Sequence, residues 1–290
     1  MIKILVTGSN GQLGQEFQSL ANQYPTFEFA FFDQQQWDIT NESQSKYILS
    51  SYRPQFLINT AAFTAVDKAE TEQAICFLLN DHAPTYLSQL CEQYNIQMIH
   101  YSSDYVFGGD SMVPIQEHAQ TNPQGVYAMS KAFGEKHILA SNPKTIIIRS
   151  SWIYSSFGHN FVKTMLRLAK DKKELSVVSD QTGSPTYGKD LCIATLAIIE
   201  HFSKTNEPSK GRIYHYSNSG YTTWDELARE IFSYKKIDIK VNSISTQTYN
   251  APAPRPKFSV LDCTKIKTTF DITIPFWKDS LHDCLDLISI

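Results

Sequence analysis

The first two dozen residues constrain this chain more than any other stretch. Residues 2–7 (IKILVT) are a run rich in β-branched side chains that suits a buried parallel strand. GSNGQLG at 8–14 follows at once, and Leu13, Phe17 and Leu20 then fall on one face of a helix. Each glycine answers a physical demand. Gly8 lets the chain turn tightly off the strand, a side chain at Gly11 would hold a pyrophosphate away from the backbone, and Gly14 lets the helix pack close to the sheet. The helix N-terminus adds free N–H groups and a partial positive charge. A glycine turn alone is weak evidence. The strand before it and the amphipathic helix after it favour a dinucleotide site over a plain turn.

Composition narrows the alternatives. At 290 residues the chain can hold one large α/β domain with a smaller lobe. Its net charge of −3, with no basic block, argues against a nucleic-acid or membrane-surface partner. No apolar run is long enough to span a bilayer, and the strand-like start lacks the features of a signal peptide, so a cytoplasmic location is expected. The five cysteines are scattered with no CxxC pair, which reads as reduced thiols packed as small hydrophobes. No histidine pair has a metal-ligand spacing and no GxSxG elbow is present, so neither a catalytic metal nor a serine-hydrolase triad is expected.

Further strands are expected at 27–33, 56–60, 96–103 and 145–149, with helices between them at 43–51, over 67–94 and from about 125. Thr40 or Asn41 is placed to cap the first of these helices, and Pro84 predicts a break near Asn80 and Asp81 in the second. The alternation predicts a doubly wound parallel sheet. Asp33, ending the second strand, can hold an adenosine ribose or be a solvated strand end. No Arg or Lys lies between Asp33 and Asn41, which favours NADH over NADPH. Residues 106–123 read as an irregular loop. Beyond 150 the pattern loosens to helices at 160–170, 190–202, 224–233 (opened by a Thr223–Glu226 capping box) and 278–287, a turn-rich loop at 180–186, a strand at 213–216 and a proline-rich run at 251–256. Arg255 in that run can clamp a phosphate or stand exposed.

The fourth strand ends in Ser102-Ser103-Asp104-Tyr105, where chemistry collects in an open parallel sheet. The next helix carries Tyr127 and Lys131, four residues apart on one face. A phenol titrates near about 10 in water, and an ammonium one turn away is expected to lower that value. Such a pair usually means a half-buried ring beside a snorkelling lysine; here it shares a chain with the glycine turn and the Ser-Ser-Asp strand end.

Together these motifs resemble the extended short-chain dehydrogenase/reductases, and more narrowly the dTDP-4-dehydrorhamnose reductase family. The narrower likeness rests on GSNGQLG at 8–14, NTAAFTAVDKAE at 59–70, YSSDYVF at 101–107, Tyr127 with Lys131, RSSWIY at 149–154, NFVKTMLRLA at 160–169, DQTGSPT at 180–186 and RPKFSVL at 255–261. The resemblance implies a Rossmann-type α/β fold. Residues 1–150, completed by parts of 188–217, would bind the cofactor, and 151–290 would form mainly a smaller substrate-binding lobe. It implies NADPH or NADH as cofactor and a nucleotide sugar as substrate. Gly11, Gln12 and Leu13 would line the pyrophosphate, Asp38 and Ile39 the adenine, and Ala62, Phe63 and Thr64 the cofactor's middle. Ser103 and Tyr127 would act on the sugar ketone, with Tyr127 as acid, and Lys131 would bind the nicotinamide ribose. Asp104, Tyr105 and Trp152 would touch the sugar, and Arg255 the nucleotide diphosphate. A homodimer is also implied. Some relatives bridge such dimers with magnesium held by carboxylates. Glu16 matches one position, but Lys189 stands at the second and Asp190 is out of register, so no metal is expected. The alternatives are an epimerase or dehydratase of the same fold, a reductase of another nucleotide-linked keto sugar, and a non-catalytic regulatory subunit.

Overall fold

The computed structural model describes residues 1–205 and 212–289. β1 (Ile2–Thr7) runs into Gly8, whose φ is +67°, and α1 (Gln12–Leu20) starts from the turn. A Cβ on Gly14 would collide with the Gly8 carbonyl oxygen and stand 2.5 Å from Ser9 Cα. Glycine alone lets the helix lie this close to the strand end.

β2 (Phe27–Phe32), α2 (Glu42–Tyr52) and β3 (Phe56–Asn59) follow. Asn41 caps α2, its side chain accepting from the Gln44 N–H at 3.0 Å. The stretch expected as one broken helix over 67–94 is divided more finely. It forms α3 (Val66–Ala69), α4 (Gln73–Phe77), a π-helical turn at Leu78–His82 and α5 (Ala83–Gln93). Pro84 sits in the first turn of α5, where a missing N–H costs little, and the wide turn before it carries Asn80 and Asp81. The earlier break, at Thr71 and Glu72, has no proline or glycine to announce it.

β4 (Gln97–Ser103), α6 (Val126–Ser141) and β5 (Ile146–Ser150) extend the same rhythm. After them come β6 (Ile153–Tyr154), α7 (Phe161–Leu168), β7 (Glu174–Val178), β8 (Thr182–Gly183) and β9 (Thr186–Tyr187). α8 (Gly188–Thr205), β10 (Arg212–His215), β11 (Thr222–Thr223), α9 (Trp224–Tyr234) and β12 (Lys240–Ile244) follow. The chain continues through α10 (Thr246–Tyr249), β13 (Phe258–Ser259), α11 (Thr264–Phe270) and α12 (Trp277–Asp286).

Six parallel strands form the central sheet in the order β2-β1-β3-β4-β5-β10. The order reverses between β1 and β3, which opens a crevice beyond the carboxyl ends there. Alternation along the strands separates two cores. Ile4, Val6, Ile58 and Ile99 face α1 and α8 through Phe17, Leu191 and Ile198. Leu5, Leu57 and Met98 face α2 and α5 through Leu49 and Leu87. The sheet therefore draws on β10 and α8 as well as on residues before 150. Among the described residues no helix is long and apolar enough to cross a membrane.

A third core lies in the C-terminal half. The parallel pair β7–β12 packs with α7, α9 and α12 around Leu166, Leu175, Leu227, Ile231 and Leu281. Neither of these strands was expected. Each is short, with polar residues interleaved, and its partner lies far away in sequence. The turn-rich loop at 180–186 likewise holds β8 and the start of β9, two-residue strands that tertiary pairing alone creates.

Gly14→Ala must push α1 off the strand end. It is expected to lower the unfolding free energy by about 1–3 kcal/mol, as overpacked sites do. An unchanged melting curve would contradict this account of the turn.

Candidate active site

A cleft of about 750 Å³ opens at the carboxyl ends of the sheet, walled by Gly11, Gln12, Leu13, Ala62, Thr64, Ser103, Asp104, Tyr105, Tyr127, Lys131, Trp152 and Trp224 among others. A smaller hollow of about 260 Å³ is lined by Gly8, Trp37, Asp38 and Ile39. Asn10, Gly11, Thr60, Ala61 and Ala62 border both, so the two form one groove across the switch point. A Cβ on Gly11 would stand 3.1 Å from the Gly8 carbonyl oxygen, so the cradle at the helix start is open because it has no side chain.

Four expected residues lie outside these walls. Gly14 serves the helix–strand contact already described. Asp33 Oδ1 accepts from the N–H groups of Gln35 and Gln36, and its Oδ2 accepts from Asn10 Nδ2 at 3.0 Å, so the carboxylate organises the loop beside the hollow. Phe63 packs its ring against the cluster of Ala69, Cys76, Val126 and Tyr127. Arg255 is paired end-on with Asp67, at 2.7 and 2.8 Å.

β4 delivers Ser103 to the cleft in register with Ser150 of β5. Ser103 Oγ donates to Asp104 Oδ1 at 2.9 Å and accepts from the Tyr105 N–H at 3.3 Å. α6 brings Tyr127 and Lys131 in from the side, one turn apart. Tyr127 and Ser103 line the same cleft. Lys131 is only 4% exposed and its Nζ donates to the Tyr101 carbonyl at 3.0 Å.

Burial dominates the titration of this cluster. It pushes the Tyr127 phenol well above its ordinary value, with the nearby Ser103 acting the other way. It brings Lys131 down to about 8, against the pull of Glu135, and raises Asp104 to about 6. The expectation that Lys131 makes Tyr127 more acidic is therefore reversed. Desolvation of the phenolate sets the direction, and the Lys131 nitrogen is turned to the Tyr101 carbonyl.

Three residues that matter here were not expected. Asn80 is fully buried, and its carboxamide pairs with both backbone groups of Phe63, accepting at 2.9 Å and donating at 3.0 Å. The same Nδ2 donates to Ser130 Oγ at 3.0 Å, and Ser130 Oγ donates to the Tyr127 carbonyl at 2.7 Å. One side chain thus ties the 61–64 loop to the helix that carries Tyr127. The signal was present as an asparagine ending the apolar run ICFLL, on a wide turn that turns it inward. Glu70 Oε1 accepts the Val126 N–H at 2.9 Å, fixing the start of α6 just after Gly125, whose φ is +85°. Trp224 stacks on Trp152 with ring centroids 3.6 Å apart and planes 11° from parallel, which makes one wall of the cleft aromatic. Sequence reading stopped at the capping box beside it, which is present.

The two carboxylates considered for magnesium each have partners within the chain. Glu16 is 1% exposed and accepts from Ser155 Oγ at 2.5 Å, while Asp190 accepts from Asn218 and Ser280. Among the described residues no group of three or more His, Cys, Asp and Glu side chains is placed to hold a metal ion.

Asn80→Ala removes the four hydrogen bonds of one buried amide, the longest of them to Cys76 Sγ at 3.6 Å, and leaves both Phe63 backbone groups unpaired. A loss of about 2–4 kcal/mol in stability is expected, at roughly 1–3 kcal/mol for each buried polar group left unpaired. Weaker cofactor binding should accompany it, read by fluorescence titration. Normal stability and binding would remove Asn80 from the account.

Residues 2–290 match the family described as the RmlD substrate binding domain. The chain is 37% identical over 283 residues to the dTDP-4-dehydrorhamnose reductase of Sinorhizobium fredii, covering 96% of this chain and 95% of that one. It superposes on the crystal structure of a dTDP-4-dehydrorhamnose reductase from Clostridium acetobutylicum with a TM-score of 0.91, 38% identity and 99% of each chain covered. The dTDP-4-dehydrorhamnose reductase of Bacillus anthracis, crystallised in complex with NADP, gives a TM-score of 0.91 at 35% identity, again over 99% of each chain. With its parallel sheet, its glycine cradle and the Ser103–Tyr127–Lys131 cluster at the strand ends, this chain belongs to the dTDP-4-dehydrorhamnose reductase family.

Proposed function

We propose that this protein reduces the C4 ketone of dTDP-4-dehydro-L-rhamnose to give dTDP-L-rhamnose, using NADPH or NADH. The observation that carries the reading is the convergence of Ser103, Tyr127 and Lys131 on one cleft that is continuous with the glycine cradle of α1.

The cofactor fits this groove in the chemistry of its walls. Gly8, Gly11, Gln12 and Leu13 would receive the pyrophosphate, where a Cβ at Gly11 would crowd the cradle. Trp37, Asp38 and Ile39 would border the adenosine, Ala62 and Thr64 the middle, and Lys131 the nicotinamide ribose. When bound, the reduced nicotinamide supplies the hydride. Among the described residues the adenosine hollow has no Lys or Arg in its walls and does have Asp38, which favours the cofactor without a 2′-phosphate.

Tyr127 is the proton donor. Burial keeps its phenol neutral at working pH, so the proton is present when negative charge develops on O4. Ser103 Oγ, which lines the same cleft, donates to the same oxygen once its hydroxyl rotates away from Asp104. Lys131 holds a positive charge beneath the pair up to about pH 8. Asp104, Tyr105 and the stacked Trp152–Trp224 wall would seat the sugar, and Arg255 would face the diphosphate.

The test is loss of NADH and NADPH absorbance, in parallel, with enzymatically made dTDP-4-dehydro-L-rhamnose. Stoichiometric oxidation is expected, faster with NADH at low concentration. Tyr127→Phe should lose roughly 10²–10⁴-fold in turnover, the usual worth of a positioned acid, while cofactor affinity stays near normal. Full activity in that variant would sink the mechanism. kcat/KM should also fall as pH rises through about 8, where Lys131 loses its charge in the free protein. A flat profile to pH 9 would contradict the role given to Lys131.

A further inference from the structure

A nucleotide-linked sugar brings two phosphates, and the cleft is poor in charge to meet them. Lys131 and His159 are the only cationic residue types among the described walls. Lys131 is buried and turned to the Tyr101 carbonyl. A strong candidate outside the walls is Arg255, whose side chain is 18% exposed. Tyr105, a wall of the cleft, lies close enough to feel the charges of both Arg255 and Asp67.

The hydrogen bonds of that guanidinium divide its two edges. Nη1 donates to Asp67 Oδ1 at 2.7 Å and to the Ala253 carbonyl at 2.7 Å, and Nη2 donates to Asp67 Oδ2 at 2.8 Å. The end-on fork is therefore filled. The side-on edge, Nε–H and the second Nη2–H, has no partner among the described residues. Asp67 also accepts the Ala253 N–H at 3.2 Å, so one carboxylate fixes both the guanidinium and the strap that carries it. The strap is stiff: Pro252, Pro254 and Pro256 set φ at alternate positions. It is also closely seated, because a Cβ at Gly125 would meet Pro254 Cδ at 3.0 Å and one at Gly109 would meet Pro256 Cα at 2.6 Å.

We infer that Asp67 is a positioning residue for a nucleoside diphosphate: it holds Arg255 by one edge so that the other edge is free to grip phosphate oxygens side-on. This rests on the nucleotide-sugar reading above. The carboxylate leaves a bidentate donor pair of the guanidinium unoccupied. Asp67 itself need not touch the ligand.

The experiment is calorimetric titration of the full chain with thymidine diphosphate, for the wild type and for Asp67→Asn, Asp67→Glu, Arg255→Gln and the Asp67→Asn/Arg255→Gln double variant. Asp67→Asn and Arg255→Gln should each weaken binding roughly tenfold or more, with the double variant no weaker than Arg255→Gln. Asp67→Glu should recover part of the loss. In turnover, Asp67→Asn should raise KM for the nucleotide sugar with kcat within about twofold, and leave NADH affinity unchanged. Wild-type or tighter binding by Asp67→Asn, fully additive losses in the double variant, or a loss that extends equally to NADH would each overturn the inference. The two readings fail separately. A wild type that binds thymidine diphosphate through this pair but oxidises no cofactor refutes the reductase and leaves the clasp standing.

Discussion

Tyr127 and Lys131 are taken out of water together, and most of what surrounds them follows from that. Desolvation penalises the phenolate and the ammonium alike, so it drives both groups toward neutrality. For an acid that must keep its proton until an alkoxide forms, a raised value is an advantage. For a lysine whose charge steadies that event, a lowered value is a cost, and the structure limits it. Glu135 pulls the Lys131 value back up, and is itself held by Arg149 in a buried pair at 2.6 and 2.8 Å. Removing either member of such a pair strands the other charge.

A buried polar cluster of this kind needs its backbone fixed on every side. The parallel sheet fixes Ser103, because β4 lies between β3 and β5. The helix carrying Tyr127 and Lys131 is fixed at its start by Glu70 and from beneath by Asn80 through Ser130. Gly134 allows the close approach: a Cβ there would run into the Asn80 carbonyl oxygen. The π-helical turn that carries Asn80 thus joins the 61–64 loop to the helix that carries Tyr127 and Lys131. The second lobe contributes Trp224 and, through the strap at 251–256, Arg255. Its own core of α7, α9, α12 and the β7–β12 pair packs against Trp224, which walls the cleft.

The sheet was legible from sequence because its signals are local. Buried parallel strands are short apolar runs, and the glycine turn follows the first without a gap. Tyr127 and Lys131 were legible because helical spacing alone puts them on one face. The break at Asn80 and Asp81 could be placed from Pro84. The long-range features were not legible in the same way. β7 and β12 exist only because each finds a distant partner, and Trp224 becomes a site residue only when Trp152, at φ +48°, turns onto it. The sign of the Tyr127 shift depends on burial, which no spacing of Tyr and Lys reveals. Asp33 fitted a ribose-binding position by its place at a strand end; its geometry gives one oxygen to the loop and the other to Asn10.

The central claim is that this site moves a hydride to a sugar carbon while Tyr127 protonates the neighbouring oxygen. The most direct test is a single turnover with cofactor deuterated at nicotinamide C4, followed by NMR of the sugar product. The account predicts one deuterium, bound to C4 of the sugar, in the wild type, and almost none within the same time in Tyr127→Phe. Deuterium at another carbon, or a product that carries none while the cofactor returns to its starting state, would contradict it.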